Sequence, residues 1–532
     1  MMLDEERCLL SRSDSDLPEL KASPSEKAFN VNSVAGVILA STGVFISGID
    51  QSFISATYVD IASSMKALQN ASLLLTAYNL GYSTALPFLT FILKYGKLSD
   101  GCGRKSPLLT AYLIFAAGCL MSGSSLYFWQ IIIGRFVTGI GAAGMVSLVS
   151  VIITDSVPPS QVASMTSYVT VISVLGRCSG GVLGAFILEL FGWQWSFMLQ
   201  VPLILISSLV SFILMPESQQ EKPKAEHLIT KDFDILGFIF FILAICSFLW
   251  ATSQQTSEFT THEETNFSIS ALLSCIFGLL FLVTELYYAK NPFLPLNRLG
   301  GKIHAYLMVQ VILFFAHDTH LTNLPPYFVY LEKFRTTTTA IYLITSSIGY
   351  SLGSVMGGHA VKMSHRTKVQ SILSLTAGII VYLLIALQWK RGAHFLELLY
   401  IFLAGFTLGL LLSALFGALA TSCSRYMIAS TITSFYLCQE VGSILGTGLS
   451  AKALQSIFRA SLYQDLPDDA QKLHIIAGVS RDINFFKTLP PQLQHQIRDL
   501  FLFSFKKIAY VATGATFLAM PILLIIPDQV IE

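Results

Sequence analysis

The sequence predicts an all-α membrane protein that crosses the bilayer about fourteen times, and three observations carry that reading. Of its 532 residues 53% are apolar and only 12% charged, with a mean hydropathy of +0.64, too greasy for one or two soluble domains. Apolar runs of roughly twenty residues, the length that crosses ~30 Å of hydrocarbon, follow one another with short polar breaks. Lys and Arg collect in alternate breaks, as they do on the cytosolic side of membrane proteins. A net charge of +1 gives no reason to expect nucleic-acid binding. The eight cysteines are scattered, and Cys119, Cys178, Cys246, Cys275 and Cys438 lie inside apolar runs as small core residues. They have neither metal-ligand spacing nor a paired framework, so no metal or cofactor is expected.

The first 32 residues are rich in Ser, Asp and Glu and lack the apolar core of a cleavable signal, which predicts a disordered cytosolic tail. Spans are then expected near 33–58, 71–93, 107–126, 129–153, 165–190, 195–215, 233–252, 267–288, 303–330, 340–361, 369–388, 395–421, 427–454 and 508–526. Breaks assigned to the cytosol carry Lys94, Lys97, Arg104 and Lys105, then Lys222, Lys224 and Lys231, then Lys290, Arg298 and Lys302, then Lys362, Arg366 and Lys368. The opposite breaks are poorer in charge. Both Asn-x-Ser sequons, at Asn70 and Asn266, fall on the opposite side, here called luminal. Each hugs a span. The late break from about 455 to 507 is also placed in the lumen, as a long loop with an amphipathic helical pattern.

The polar hinge Gly96-Lys-Leu-Ser-Asp100-Gly-Cys-Gly103-Arg104-Lys105 sits between the second and third runs. It resembles the loop joining the second and third spans of major facilitator transporters, departing from the pattern at Gly101. Further matches are Ala77-Tyr78-Asn79-Leu80 in the second span, Arg135 with Gly139 and Gly141 in the fourth, and Trp193-Gln194-Trp195-Ser196-Phe197 before the sixth. Asp232 with Leu236-Gly237 resembles the start of an inserted helix pair, and Thr154-Asp155-Ser156-Val157-Pro158 resembles the fourth-span ending of vacuolar amino acid carriers. Together they point to the fourteen-span drug:proton antiporter group, which includes the fungal vacuolar basic amino acid transporters.

The resemblance implies two six-helix bundles, 33–216 and 303–532, separated by a linker, 217–302, with two extra spans. It also implies a gate network of Asp100 and Arg104 with Asp155, and that Arg135 lies near the proton site with Asp50 as its first-span counterpart. The fifth-span motif departs from the family: Gly176-Arg177-Cys178-Ser179-Gly180-Gly181 has arginine where a kinking proline is usual. Glu5 with Leu9-Leu10 resembles an acidic dileucine signal read by a sorting adaptor.

Charge inside a membrane costs ~2.5–3.5 kcal/mol on insertion scales, so each instance is a candidate for function. Asp50 and Arg135 fall at similar depth and could meet, as a structural ion pair or as a proton or substrate site. Arg177 requires an acceptor, either an anionic substrate group or a neighbouring glutamate. Asp318, flanked by His317 and His320, and Glu440 are carboxylates suited to proton exchange or to anchoring a cation. The alternative for the histidine group is that it faces luminal water.

The reading is therefore a secondary transporter, expected to be monomeric, moving basic amino acids from cytosol to vacuole lumen in exchange for protons. Its alternatives are a plasma-membrane drug or xenobiotic antiporter, a carrier of siderophores or other organic ions, and a transporter-like receptor. Nothing in the motifs suggests an enzyme.

Overall fold

The computed structural model describes residues 31–94, 105–156, 159–214, 234–253, 261–289, 301–332, 335–364, 366–389, 394–422, 428–466, 472–481 and 483–526. These residues form helices and short turns, with no sheet among them.

The first group of helices comprises α1 (Val31–Ser64), α2 (Leu73–Lys94), α3 (Lys105–Gly123), α4 (Phe128–Ser156), α5 (Pro159–Phe191), the short α6 (Trp193–Met198) and α7 (Gln200–Leu214). Then come α8 (Ile235–Ser253) and α9 (Thr261–Val283), which pack on each other. The second group comprises α10 (Gly301–Leu321), the short α11 (Leu324–Tyr327), α12 (Thr336–Ser364), α13 (Thr367–Gln388), α14 (His394–Ser422), α15 (Ile428–Asp465), the short α16 (Lys472–Arg481) and α17 (Ile483–Thr488), and α18 (Pro491–Ile525). Nine helical stretches among the described residues are long and apolar enough to cross a membrane by themselves. Helix α10 misses that threshold because it carries polar side chains, among them Gln310, Asp318 and His320.

Small residues set the close packing, because apolar burial gives little drive between helices in lipid. In the first group α1 packs along α5, and a Cβ at Gly176 or Gly180 would collide with the carbonyls of Phe45 or Ile49. In the second, Gly349, Gly353, Gly405 and Gly409 play the same part between α12 and α14. The groups meet where α12 lies on α5 and α1, and where α15 lies on α2.

One expectation changes. The break from 455 to 507 is not a loop: α15 runs on to Asp465, α18 begins at Pro491, and α16 and α17 lie between them. Its apolar residues form a cap, where Tyr330 donates to the Val479 carbonyl at 2.9 Å and stacks on Phe501 with 5.0 Å between centroids. At the start of α8 the Asp234 carboxylate accepts the Gly237 N–H at 2.9 Å and caps the helix. Asp232 lies outside the described residues.

Candidate functional site

Two polar clusters lie inside the helices. In the first, α1 and α4 bring Asp50 and Arg135 together. The Arg135 Nη1 donates to both carboxylate oxygens of Asp50, at 2.8 and 2.7 Å. These side chains are 0% and 1% exposed. The guanidinium also lies over the Tyr78 ring, 4.6 Å from its centroid, and Gln200 Nε2 stands 3.4 Å from Asp50 Oδ1. Tyr78 and Ser47 share a hydrogen bond of 3.1 Å, tying α1 to α2. Each charge is satisfied by the other, and in this state neither faces water.

The second cluster straddles the two groups. Arg177 projects from α5, and its Nε is buried without a hydrogen-bond partner among the described residues. Its charge acts on Asp318 and His317 of α10, on Glu440 of α15, and on Tyr82 and Tyr350 of α2 and α12. Asp318 and Glu440 also act on each other. Asp318 is hydrogen-bonded by Ser443, and Asn79 Nδ2 donates to the Ser443 hydroxyl at 3.0 Å. The chain Asn79–Ser443–Asp318 therefore links the groups beside the Arg177 cation.

Within the histidine group His320 is buried, whereas His317 and Asp318 are half-buried. His320 is 4% exposed and packs against Tyr382, Trp389 and Phe505, with centroids 5.8, 6.1 and 6.2 Å away.

The remaining sequence candidates are dispersed. Gly96, Asp100, Gly103 and Arg104 lie outside the described residues, as do Glu5, Leu9 and Leu10. Lys105 opens α3, with its ammonium 4.6 Å from the centre of the Phe212 ring. Asp155 falls in the last turn of α4. Asn70 ends the turn Leu68–Asn70, and Asn266 lies near the start of α9.

Sequence reasoning missed the luminal closure. Tyr58 donates to the Thr322 carbonyl, Thr336 Oγ1 donates to Asp60 Oδ2 at 2.8 Å, and Gln455 Nε2 donates to the Gln69 carbonyl at 2.7 Å. Glu189 Oε1 accepts both the Thr337 N–H, at 3.1 Å, and the Thr337 hydroxyl, at 2.6 Å. Every one of these bonds joins the first group to the second, at the helix ends that the Lys and Arg pattern assigns to the lumen. Under them lies a cavity of about 60 Å³, lined by Tyr58, Asn323, Tyr330, Gln455, Phe458 and Phe501 among others.

The comparisons with known proteins agree on the family. The model of the Major Facilitator Superfamily matches residues 40–447. The vacuolar membrane amino acid uptake transporter fnx2 of Schizosaccharomyces pombe is 25% identical over 505 residues, covering 92% of this chain and 85% of that protein. Vacuolar basic amino acid transporter 1 of Saccharomyces cerevisiae is 24% identical over 480 residues, covering 84% and 83%. Multidrug resistance protein fnx1 of S. pombe is 23% identical over 523 residues, covering 96% of each. Among solved structures, an inward-facing, unoccupied bacterial homologue of the human lysosomal transporter Spinster superposes with a TM-score of 0.59. It is 14% identical, over 93% of this chain and 98% of that one, and so supports the fold alone. With the matched model spanning most of the sequence, the chain belongs to the Major Facilitator Superfamily, as a small-molecule transporter of a membrane and not an enzyme.

Proposed function

We propose that the protein carries basic amino acids from the cytosol into a vacuole in exchange for protons. The observation that supports this best is the charge arithmetic of the central cluster. One cation, Arg177, faces two acids, Asp318 and Glu440, across the plane where the two groups meet. A basic amino acid carries the complement, one carboxylate and two cationic groups. Its α-carboxylate would take the Arg177 guanidinium in charge-assisted hydrogen bonds. Its α-ammonium and side-chain cation would take the two carboxylates.

Proton exchange follows from the same arrangement. With the substrate gone, two carboxylates share a low-dielectric space with one guanidinium, and the excess negative charge is relieved by a proton. Substrate and proton would then compete for one acid, which is the requirement for antiport by alternating access about a midplane site. Asn79, through Ser443, would let Asp318 sense whether the two groups are closed on each other. The buried Asp50–Arg135 pair, already neutral, is assigned to holding α1 on α4.

The vacuolar location rests on the resemblance to fnx2 and vacuolar basic amino acid transporter 1, and on the Glu5, Leu9-Leu10 pattern of the tail. The likeness to fnx1 favours a second reading, drug export. One experiment separates them: purified protein in liposomes, acid inside, offered labelled lysine with a panel of competitors. Competition by arginine and histidine but not by lipophilic cations supports the amino acid reading. The reverse pattern supports drug export, and saturable binding without accumulation supports a receptor.

A further inference from the structure

The luminal closure contains two carboxylates that the central site does not use. Asp60 lies near the luminal end of α1, past the expected limit of the first span, and Glu189 lies near the luminal end of α5. Both reach across to the same place, the first turn of α12. That helix opens on Thr336-Thr337-Thr338-Thr339 and has no acidic residue in its first turn. Its N-terminal N–H groups and the positive end of its dipole lack a carboxylate of their own. The opposite group supplies two, Asp60 through the Thr336 hydroxyl and Glu189 through the N–H and hydroxyl of Thr337. The helix is capped in trans, and the cap exists only while the luminal side is shut.

The two acids differ in surroundings. The Glu189–Thr337 contact is exposed, so its charge is well hydrated whether the gate is open or shut. The Asp60–Thr336 contact is partly buried, and α1 is covered there by α12 and α5. The charged groups acting on Asp60 are Glu189 of α5, which opposes its ionisation, and Lys487 of α17, which favours it; α12 contributes only the Thr336 hydroxyl. Arg335, next to Thr336 in sequence, is exposed. Short α6 and α11 carry no Asp, Glu, Lys, Arg or His.

We propose that Asp60 is a luminal proton-binding site whose occupancy favours closure of the luminal gate. Closing the gate withdraws the Asp60 carboxylate from water and brings it beside Glu189. A neutral carboxyl escapes both costs and still hydrogen-bonds Thr336. Burial, reinforced by Glu189, holds the Asp60 carboxyl above its ordinary value in this closed state, against the opposing Thr336 bond and Lys487 charge. In an open gate the same carboxyl faces water and titrates as an ordinary aspartate. The sign follows by linkage: the extra stability of the closed state is complete below the open-state pKa and is lost as pH rises through the closed-state value. An acidic lumen therefore shuts the gate behind a departed substrate and returns the carrier toward the cytosol.

The inference needs alternating access but not a basic amino acid as cargo, so its first test uses no substrate. Spin labels at Ser64→Cys and Phe395→Cys, both exposed and on opposite groups, report the luminal separation by pulsed electron resonance in lipid nanodiscs, with native cysteines replaced by serine. Between pH 7.5 and 5.0 the closed population should rise, by about tenfold in the closed-to-open ratio for each unit by which the closed-state pKa of Asp60 lies above 5.0. Asp60→Asn should be largely closed at both pH values and lose that part of the response. Thr336→Val, which keeps the carboxylate, should lower the closed population at pH 7.5 and retain the pH response. Glu189→Gln should shrink the response without abolishing it. An unchanged response in Asp60→Asn, or a wild-type gate that opens in acid, overturns the proposal. Should the labelled protein not fold, uptake by Asp60→Asn in the native cysteine background, measured against internal pH, decides the same question: a pH dependence identical to that of the wild type overturns the proposal. Failure of lysine uptake with an intact gate response would count against the substrate reading alone.

Discussion

Removing Arg135 alone should damage the protein more than removing Arg135 and Asp50 together. The pair is joined at 2.7 and 2.8 Å and is at most 1% exposed, so neither charge can turn to water when its partner is lost. Breaking such a buried pair costs ~3–5 kcal/mol, chiefly because a charge is left unpaired. Gln200 cannot compensate Asp50, since its contact is long at 3.4 Å and it also donates to the Ser196 carbonyl. Arg135→Met should therefore lower the thermal midpoint by roughly 6–20 °C, taking ~2–4 °C per kcal/mol for a unit the size of one helix group. Asp50→Leu with Arg135→Met replaces both charges by apolar side chains and should recover more than half of that loss. The assay is the midpoint of the detergent-purified protein by fluorescence-detected size exclusion, with singles and double measured together. Additive losses in the double, or a wild-type midpoint in both singles, would show that the pair does not hold α1 on α4 and would return it to the candidates for proton carriage.

The other predictions are simpler. Tyr58→Phe removes the hydroxyl that bonds the Thr322 carbonyl and should loosen the luminal closure by ~0.5–1.5 kcal/mol, seen as a several-fold fall in the closed population in the spin-label assay. Gly180→Val overfills the crossing of α1 and α5, where even a Cβ meets the Ile49 backbone, and should cost at least ~1–3 kcal/mol and reduce folded yield; Gly278→Ala, where nothing lies within 4 Å, should not. Arg177→Gln should raise the KM for an amino acid far more than for the same amine lacking its carboxylate. If both KM values rise alike, Arg177 does not bind that group.

Much of this fold was legible because the bilayer imposes a length on each helix and a side on each loop. The spans from 71 to 421 lie on the observed helices within a few residues, and Asp50 with Arg135 was foreseeable as two opposite charges at one depth. What escaped the sequence lies at the ends of helices, where charged residues are common and carry no signal. Asp60 and Thr336 are separated by 276 positions, and nothing local marks either as half of a gate. Asn79 was visible as a motif residue, but its bond to Ser443 exists only through the docking of α2 on α15. The luminal cap was misread because residues 455–507 are too polar to be a span, yet α15 and α18 continue past the hydrocarbon and pack their aromatic faces on Tyr330.

The central claim is that one half-buried acid serves substrate and proton in turn, and Glu440 is its most direct test. In acid-inside liposomes the native protein should accumulate labelled lysine, and collapsing the pH gradient should release it. Glu440→Gln should abolish accumulation yet still exchange internal for external lysine when no gradient is imposed. Gradient-driven accumulation that survives Glu440→Gln unchanged would contradict the account.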